Sequence, residues 1–332
     1  MDGRLDSAYH TFDLTDSPNK AAIMGNSLMM GLPPVEDKDY HESFADLLDF
    51  YHDFAASASE FHPVVMLSDH VDNYWAMMGK GVTPNMHISM SGNPCIWFRD
   101  WFPVHSLAGL IKFRYQPKYL KKPVANAIDS WLWDFLPNTM NIAPKRSQVI
   151  LDGGNIVMSP DKTMAILTTR ICADNPSMEP SQIIAYLQDN LGLDRVILIP
   201  PEFGDITGHS DGMVRFATND TIVINRFKGK ARDKILEALV SGLPSNMKVL
   251  EVPYNYSLEK YKGFPSAAGN YINFVLTNQV CIVPTFGNAR EDSEAVSIIS
   301  SAVSVPTRTV NTSTLARFGG LLNCITWEGF QI

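Results

Sequence analysis

Cysteine is scarce in this chain. Four residues, Cys95, Cys172, Cys281 and Cys324, are spread over 332 positions, and no two form a C-x-x-C pair. That spacing excludes the common structural zinc and dithiol redox motifs and does not describe a small disulfide scaffold, although pairing among the four stays open. Long apolar runs are also missing. No stretch of about 18 consecutive apolar residues occurs, so no membrane-spanning helix and no membrane partner is expected. The start, residues 1–20, is polar and lacks the apolar core of a secretory signal. The default expectation is a cytoplasmic protein, while a removed export signal would leave no trace in the chain. Positive charge is in deficit: 27 Lys and Arg stand against 35 Asp and Glu, for a net charge of −8. Such a balance argues against a phosphate backbone as partner, so no nucleic acid is expected. Two signatures are absent as well. No G-x-G-x-x-G follows the first strand-like run and no H-E-x-x-H occurs, which removes the dinucleotide and zinc-hydrolase readings those motifs carry. What is present is a globular balance, 45% hydrophobic and 19% charged, with material for a substantial core.

Polar marks recur in this background roughly every 55 residues. They are Arg99-Asp100, Asp152-Gly153-Gly154-Asn155, His209-Ser210-Asp211, the segment 269–273 around Asn270 and Asn273, and the segment 319–324 ending in Cys324. The first four each lead into two apolar, β-branched runs split by turn formers, the signature of a hairpin. The spacing of apolar residues predicts helices over 42–59, 123–136, 178–191, 231–240 and 291–303. Further strands are expected at 64–67, 195–199 and 247–252. The pattern is α/β, with one unit of strands and helix repeated about five times. Five such units closed in a ring would aim the polar marks at a central channel. An open doubly wound sheet is the alternative, but the marks are spread along the chain and do not gather at one crossover.

The residue types at the marks suggest one chemistry. His209 and Asp211 share a face if their segment is a strand, and an imidazole beside a carboxylate is an acid/base pair. It is equally a structural hydrogen bond. Asp100 lies among four aromatics, Trp97, Phe98, Trp101 and Phe102. Strand alternation would face Asp100 into a pocket and leave Arg99 behind it in an ion pair; a surface pair is the plain alternative. Cys324 alone would pass for a core cysteine, yet Gly319 and Gly320 before it allow close backbone approach. Together, two carboxylates can hold a planar cation such as a guanidinium, a thiolate can attack its central carbon, and His209 can protonate the departing nitrogen. No metal or organic cofactor is required.

At this point the chain resembles the bacterial peptidylarginine deiminase and agmatine deiminase family of the guanidino-group-modifying superfamily. The resemblance rests on Trp97-Phe98-Arg99-Asp100, Leu151-Asp152-Gly153-Gly154-Asn155, Thr207-Gly208-His209-Ser210-Asp211, Tyr271-Ile272-Asn273-Phe274 and the run from Gly319 through Cys324 to Thr326. It implies a five-bladed pseudo-symmetric α/β propeller, the pentein fold, as one catalytic domain over 1–332. It implies Cys324 as nucleophile through a covalent thiouronium, His209 as general acid, and Asp100 and Asp211 as holders of the guanidinium. Asn273 would support the site, with Asn270 as the neighbouring alternative. Asp152 stands where relatives often carry Glu, for substrate contact or for orienting a neighbour, and Trp97 would line the pocket. Arg114, with Lys112 and Lys118 near it, is the candidate grip for a substrate carboxylate, and Trp327 would fill or narrow the pocket. The implied partner is a small-molecule or peptidyl guanidine, of agmatine, arginine or peptidyl-arginine type, with a homo-oligomer left open. Amidino transfer to an amine, or a catalytically silent propeller acting as a binding module, are the alternatives.

Overall fold

The computed structural model describes residues 26–34, 37–68, 86–89, 95–255, 257 and 259–330, and the polar start at 1–20 lies outside the described residues. The helices expected from apolar periodicity are present as Phe44–Ser59, Lys122–Phe135, Pro180–Leu191, Gly229–Gly242 and Ala289–Ala302. Local chemistry sets their starts. Pro123 and Pro180 occupy first turns, where a missing N–H leaves no bond unmade. Glu179 and Gln182 form a reciprocal capping box ahead of the third helix, and the Asn288 side chain accepts the Glu291 N–H ahead of the last. Helices of this length are marginal alone, so packing holds them. In Phe44–Ser59 the stripe Leu47, Tyr51, Phe54 and Ala58 is buried, each large side chain contributing roughly 1.5–3 kcal/mol by leaving water.

The strands form a repeated unit. Met164–Thr168 pairs antiparallel with Val157–Met158 and parallel with Arg195–Ile199, so that Ile166 faces Val157 on one side and Ile197 on the other. The same arrangement is built around Gly109–Arg114, Thr221–Asn225 and Cys281–Thr285. A parallel return needs a long crossover, which the helices supply. The remaining large sheet joins the extremes of the described chain. Asn26–Gly31 lies antiparallel to Thr326–Phe330 and parallel to Val64–Ser68, which pairs in turn with Met86–Ser89. Val64–Ser68, Met164–Thr168 and Thr221–Asn225 are buried along their whole length, as strands covered on both faces are.

The α/β class expected from the sequence therefore holds, but the closed five-bladed propeller does not. The sheets are small, open and mixed, of four, three and two strands, and no strand pairing among the described residues closes them into a barrel or ring. The reason lies in the unit itself. A hairpin and its parallel third strand complete their ladder locally, so a sequence period specifies a repeated unit and leaves closure unspecified. A single doubly wound sheet is not formed either. Apolar clusters span neighbouring units; one joins Val157, Ile166 and Ile197 to Phe216, Ile222 and Leu239. No helix among the described residues is long and apolar enough to cross a membrane.

Candidate active site

Four of the polar marks meet at one cavity of about 340 Å³, within the range of small-molecule sites. Asp100, His209, Asp211, Asn270, Asn273 and Cys324 line it, and Trp97 forms part of its wall. These are residues from well-separated segments, so the cavity is a product of tertiary packing.

Asp100 sits on one helical turn, Phe98–Trp101, where strand alternation had been expected. Packing explains the difference. Phe98 stacks on Phe102 at 5.1 Å and meets Trp101 edge-on at 4.7 Å, so the aromatics fold onto one another. Arg99 is nevertheless held behind Asp100 in an ion pair, with Nη2 2.7 Å from Glu328 Oε1. Arg99 also donates from Nε to the Asn323 carbonyl at 3.3 Å and from its backbone N–H to the Cys324 carbonyl at 3.1 Å. The chain around the thiol is thereby tied to the chain carrying Asp100. Burial alone would raise the Glu328 carboxyl, and Arg99 beside it brings it below its ordinary value.

His209 also lies outside any strand. It is an extended residue capping the single turn Ser210–Gly212. The loop before it is folded by Asp205, whose carboxylate accepts the N–H groups of Thr207 and Gly208 at 2.9 Å each. The imidazole stands between two acids, with Nε2 3.1 Å from Asp152 Oδ2 and Nδ1 3.5 Å from Asp100 Oδ1. Burial opposes charge on the ring, but Asp100, Asp152 and Asp211 outweigh it and lift His209 to about 10. Asp100 is pushed up to about 7, by burial first, against the pull of His209 and with repulsion from Asp152 and Asp211. This crowding requires glycine at position 154. A Cβ there would stand 2.6 Å from His209 Nδ1 and 2.7 Å from Asp100 Oδ1.

The thiol corner is fixed by amides. Cys324 Sγ lies 3.4 Å from Asn273 Oδ1 and 3.9 Å from Asp211 Oδ2. Asn273 donates to the Asp211 carbonyl at 3.2 Å and accepts the Asn323 N–H at 3.1 Å. Asn323 in turn donates to Asp211 Oδ2 at 2.7 Å, and Asn270 donates to the Gly212 carbonyl at 2.9 Å. Burial, then Asp211 and Asp100, push the Cys324 thiol well above its ordinary value. A thiolate in these surroundings needs a cation beside it. Trp97 packs closely against the loop ahead of Cys324, where a Cβ on residue 320 would stand 2.3 Å from the indole.

Of the two roles expected for Asp152, contact with His209 is the one its position matches: it does not line the cavity but is buried behind the imidazole, where its Oδ2 also meets the Tyr119 hydroxyl at 3.3 Å. Two further sequence expectations are corrected. Arg114 is exposed at the end of Gly109–Arg114 and does not line the cavity. Its neighbours are engaged elsewhere: Lys112 is buried on Asp129 at 2.5 Å and Lys118 sits on Asp174 at 3.2 Å. The pairing with Lys145–Ile150 shifts register between Lys112 and Arg114, so simple alternation does not carry Arg114 to the buried side that Lys112 takes. Trp327 neither fills nor narrows the cavity; it is buried, donates to the Pro103 carbonyl at 2.7 Å and stacks on His105 at 4.8 Å.

Sequence reasoning also missed participants. Asn323 sits inside the glycine-cysteine motif, but an amide there reads as turn chemistry. Glu328 and Tyr119 carry no signal of their own. The outer wall adds Asp37, Glu202 and Asp205, while Lys262 is paired with Asp39, and no arginine lines the cavity among the described residues. Burial pushes Glu202 up to about 7 although the Tyr254 hydroxyl donates to it at 2.6 Å. Among the described residues, no group of three or more His, Cys, Asp or Glu is arranged to hold a metal ion.

Comparison with known proteins places this geometry in context. The sequence profile of the Porphyromonas-type peptidyl-arginine deiminases matches residues 24–329. An agmatine deiminase of Ectopseudomonas mendocina is 28% identical over 216 residues, covering 54% of this chain and 56% of that protein. The agmatine deiminase of Medicago truncatula is 24% identical over 216 residues, covering 54% and 57%. These alignments span a little over half the length of the curated relatives. Among solved structures, C. jejuni agmatine deiminase superposes with a TM-score of 0.76 at 21% identity, covering 92% of this chain and 93% of that one. An agmatine deiminase of Enterococcus faecalis gives 0.73 at 16%, covering 95% and 98%. At such identities the likeness speaks for the fold alone.

Proposed function

Because the chain belongs to the Porphyromonas-type peptidyl-arginine deiminase family, we propose that it acts as one catalytic domain that hydrolyses a guanidine to a ureido product and ammonia. The observation that carries this reading is the meeting of Asp100, His209, Asp211 and Cys324 at one acidic cavity. A guanidinium enters between Asp100 and Asp211, whose oxygens accept its N–H groups and fix its orientation. Its charge offsets the carboxylates that keep the Cys324 thiol protonated, so the thiolate forms as substrate arrives and the thiol proton passes to solvent. Sulfur bonds to the central carbon. The bond to the leaving nitrogen breaks as His209, kept as imidazolium by its acids, supplies a proton, and ammonia departs. A thiouronium remains on sulfur. Water adds to the same carbon and gives its proton to His209; the C–S bond then breaks, releasing the ureido product and restoring the cysteine.

The cavity wall favours a guanidine whose far end is cationic or neutral. A carboxylate there would meet Glu202 and Asp205, with no arginine among the described residues to receive it. The similarity to agmatine deiminases points the same way, so agmatine stands first among substrates, ahead of free arginine and of peptides ending in arginine. A panel of agmatine, arginine and peptides with internal or C-terminal arginine, read by ammonia and ureido formation, tests this order. Agmatine is expected to lead in kcat/KM by about tenfold or more, the scale of one misplaced charge. Cys324→Ala is expected to lower ammonia release by roughly 10⁴-fold or more. Release at the parent rate from that variant would sink the cysteine mechanism, and a lead for arginine would sink the substrate order.

A further inference from the structure

Asp152 is the one acid beside His209 that stays out of the cavity wall. It faces a narrow crevice behind the imidazole, shared with Asn155 and Arg170. Its Oδ1 is buried without a hydrogen-bond partner, while its Oδ2 receives two groups, His209 Nε2 at 3.1 Å and the Tyr119 hydroxyl at 3.3 Å. Tyr119, unlike Asp152, lines the cavity, and its ring packs edge-on against Phe264, another wall residue, at 6.5 Å. The phenol thus stands between a buried carboxylate and the space a substrate occupies. We infer that Tyr119 is a substrate-binding residue whose hydroxyl oxygen accepts a hydrogen bond from the bound guanidinium, and that Asp152 acts on the substrate through it. The inference rests on the guanidine-hydrolase reading above.

The hydrogen-bond inventory supports this role. A phenol has one proton and two lone pairs. Burial, and then Asp152, hold the Tyr119 phenol well above its ordinary value, so it keeps its proton throughout the working range. That proton goes to Asp152. The oxygen keeps its lone pairs as acceptors, on a residue that borders the cavity. A hydroxyl that donates to a carboxylate carries more negative charge on its oxygen and accepts more strongly. Asp152 can therefore stabilise the cation without reaching it, and the oxygen it uses is the one that also orients His209. Substrate binding and the general acid are joined at a single atom.

The test separates binding from chemistry. Calorimetry would give the agmatine Kd of Cys324→Ala and of the double variant with Tyr119→Phe, neither of which need turn over. Phenylalanine keeps the packing on Phe264, and thermal melting checks that the fold persists. The double variant is expected to bind about tenfold more weakly, the worth of one hydrogen bond to a charged group. Adding Asp152→Asn to both proteins should shrink the Tyr119 effect, because the phenol then loses its carboxylate. In the active background, Tyr119→Phe should lower kcat/KM while leaving the alkaline limb of its pH profile in place. An unchanged Kd overturns the inference. So does a moved alkaline limb at unchanged Kd, which would make Tyr119 a residue that acts only through His209. Ammonia release by Cys324→Ala would remove the cysteine reading separately, since the Kd comparison does not depend on turnover.

Discussion

The site runs on charges that burial opposes and neighbours restore, and its pH dependence follows from two of them. Asp100 is lifted to about 7, so below that value it takes up a proton and loses the charge with which the proposed mechanism holds the guanidinium. His209 is lifted to about 10, so above that value it lacks the proton that the proposed mechanism takes from it. For the mechanism proposed, kcat/KM is expected to rise steeply up to about 7, where Asp100 ionises, and less steeply above it, because the Cys324 thiol must still lose its proton, until the loss of the His209 proton near 10 opposes the rise. Asp100→Asn should make the rise below about 7 shallower, leaving the thiol-dependent rise, and lower kcat/KM by roughly 10–100-fold, the loss of one charge-assisted hydrogen bond. A pH–rate profile of both proteins checks this; an acid limb unmoved in the variant would assign it to another group. That Asp100, His209, Asp211 and Cys324 would meet was legible in the sequence because reactive residue types stood in short, ordered motifs. Depth was not legible. Nothing local distinguishes Asp152 behind the imidazole from an acid in the wall, or tells which face of its strand Arg114 takes relative to a distant cavity.

Among elements, the long helices could be read to within a few residues because their cause is local, an apolar stripe with prolines or caps at the start. The single turns Phe98–Trp101 and Ser210–Gly212 could not, because aromatic packing in one and the Asp205 loop in the other override local pattern. The Asp152-Gly153-Gly154-Asn155 element shows the same contrast. Its glycines were visible, but their reason is the distance from residue 154 to two side chains from elsewhere in the chain. Gly154→Ala forces a methyl group into His209 and Asp100. The expected result is a loss of about 1–3 kcal/mol of stability together with at least tenfold lower turnover, from displaced His209. Thermal melting and ammonia release measure the two effects; parent values in both would show that the backbone yields freely there.

Over the whole molecule, the acidic balance seen first as a net charge of −8 gathers at the cavity, which Asp37, Asp100, Glu202, Asp205 and Asp211 all line. Such a lining attracts cations over a distance set by salt. Raising ionic strength from about 0.01 to 0.15 M, which shortens screening from roughly 30 to 8 Å, is expected to lower kcat/KM for agmatine several-fold, and less for a guanidine with a neutral tail. Equal slopes for the two would place the attraction at the reacting end alone. The large-scale shape was the least legible scale. Periodicity foretold the repeated unit and the convergence of its marks, but closure belongs to pairings between units, which no single period encodes. One such pairing has a consequence in time. Asn26–Gly31 and Thr326–Phe330 are the most widely separated partners in the described chain, and Cys324 stands two residues ahead of the second strand. Pairings of that span tend to be slow to form. On the proposed function, ammonia release is thus a chronometer of assembly, silent until Asn26–Gly31 and Thr326–Phe330 have found each other.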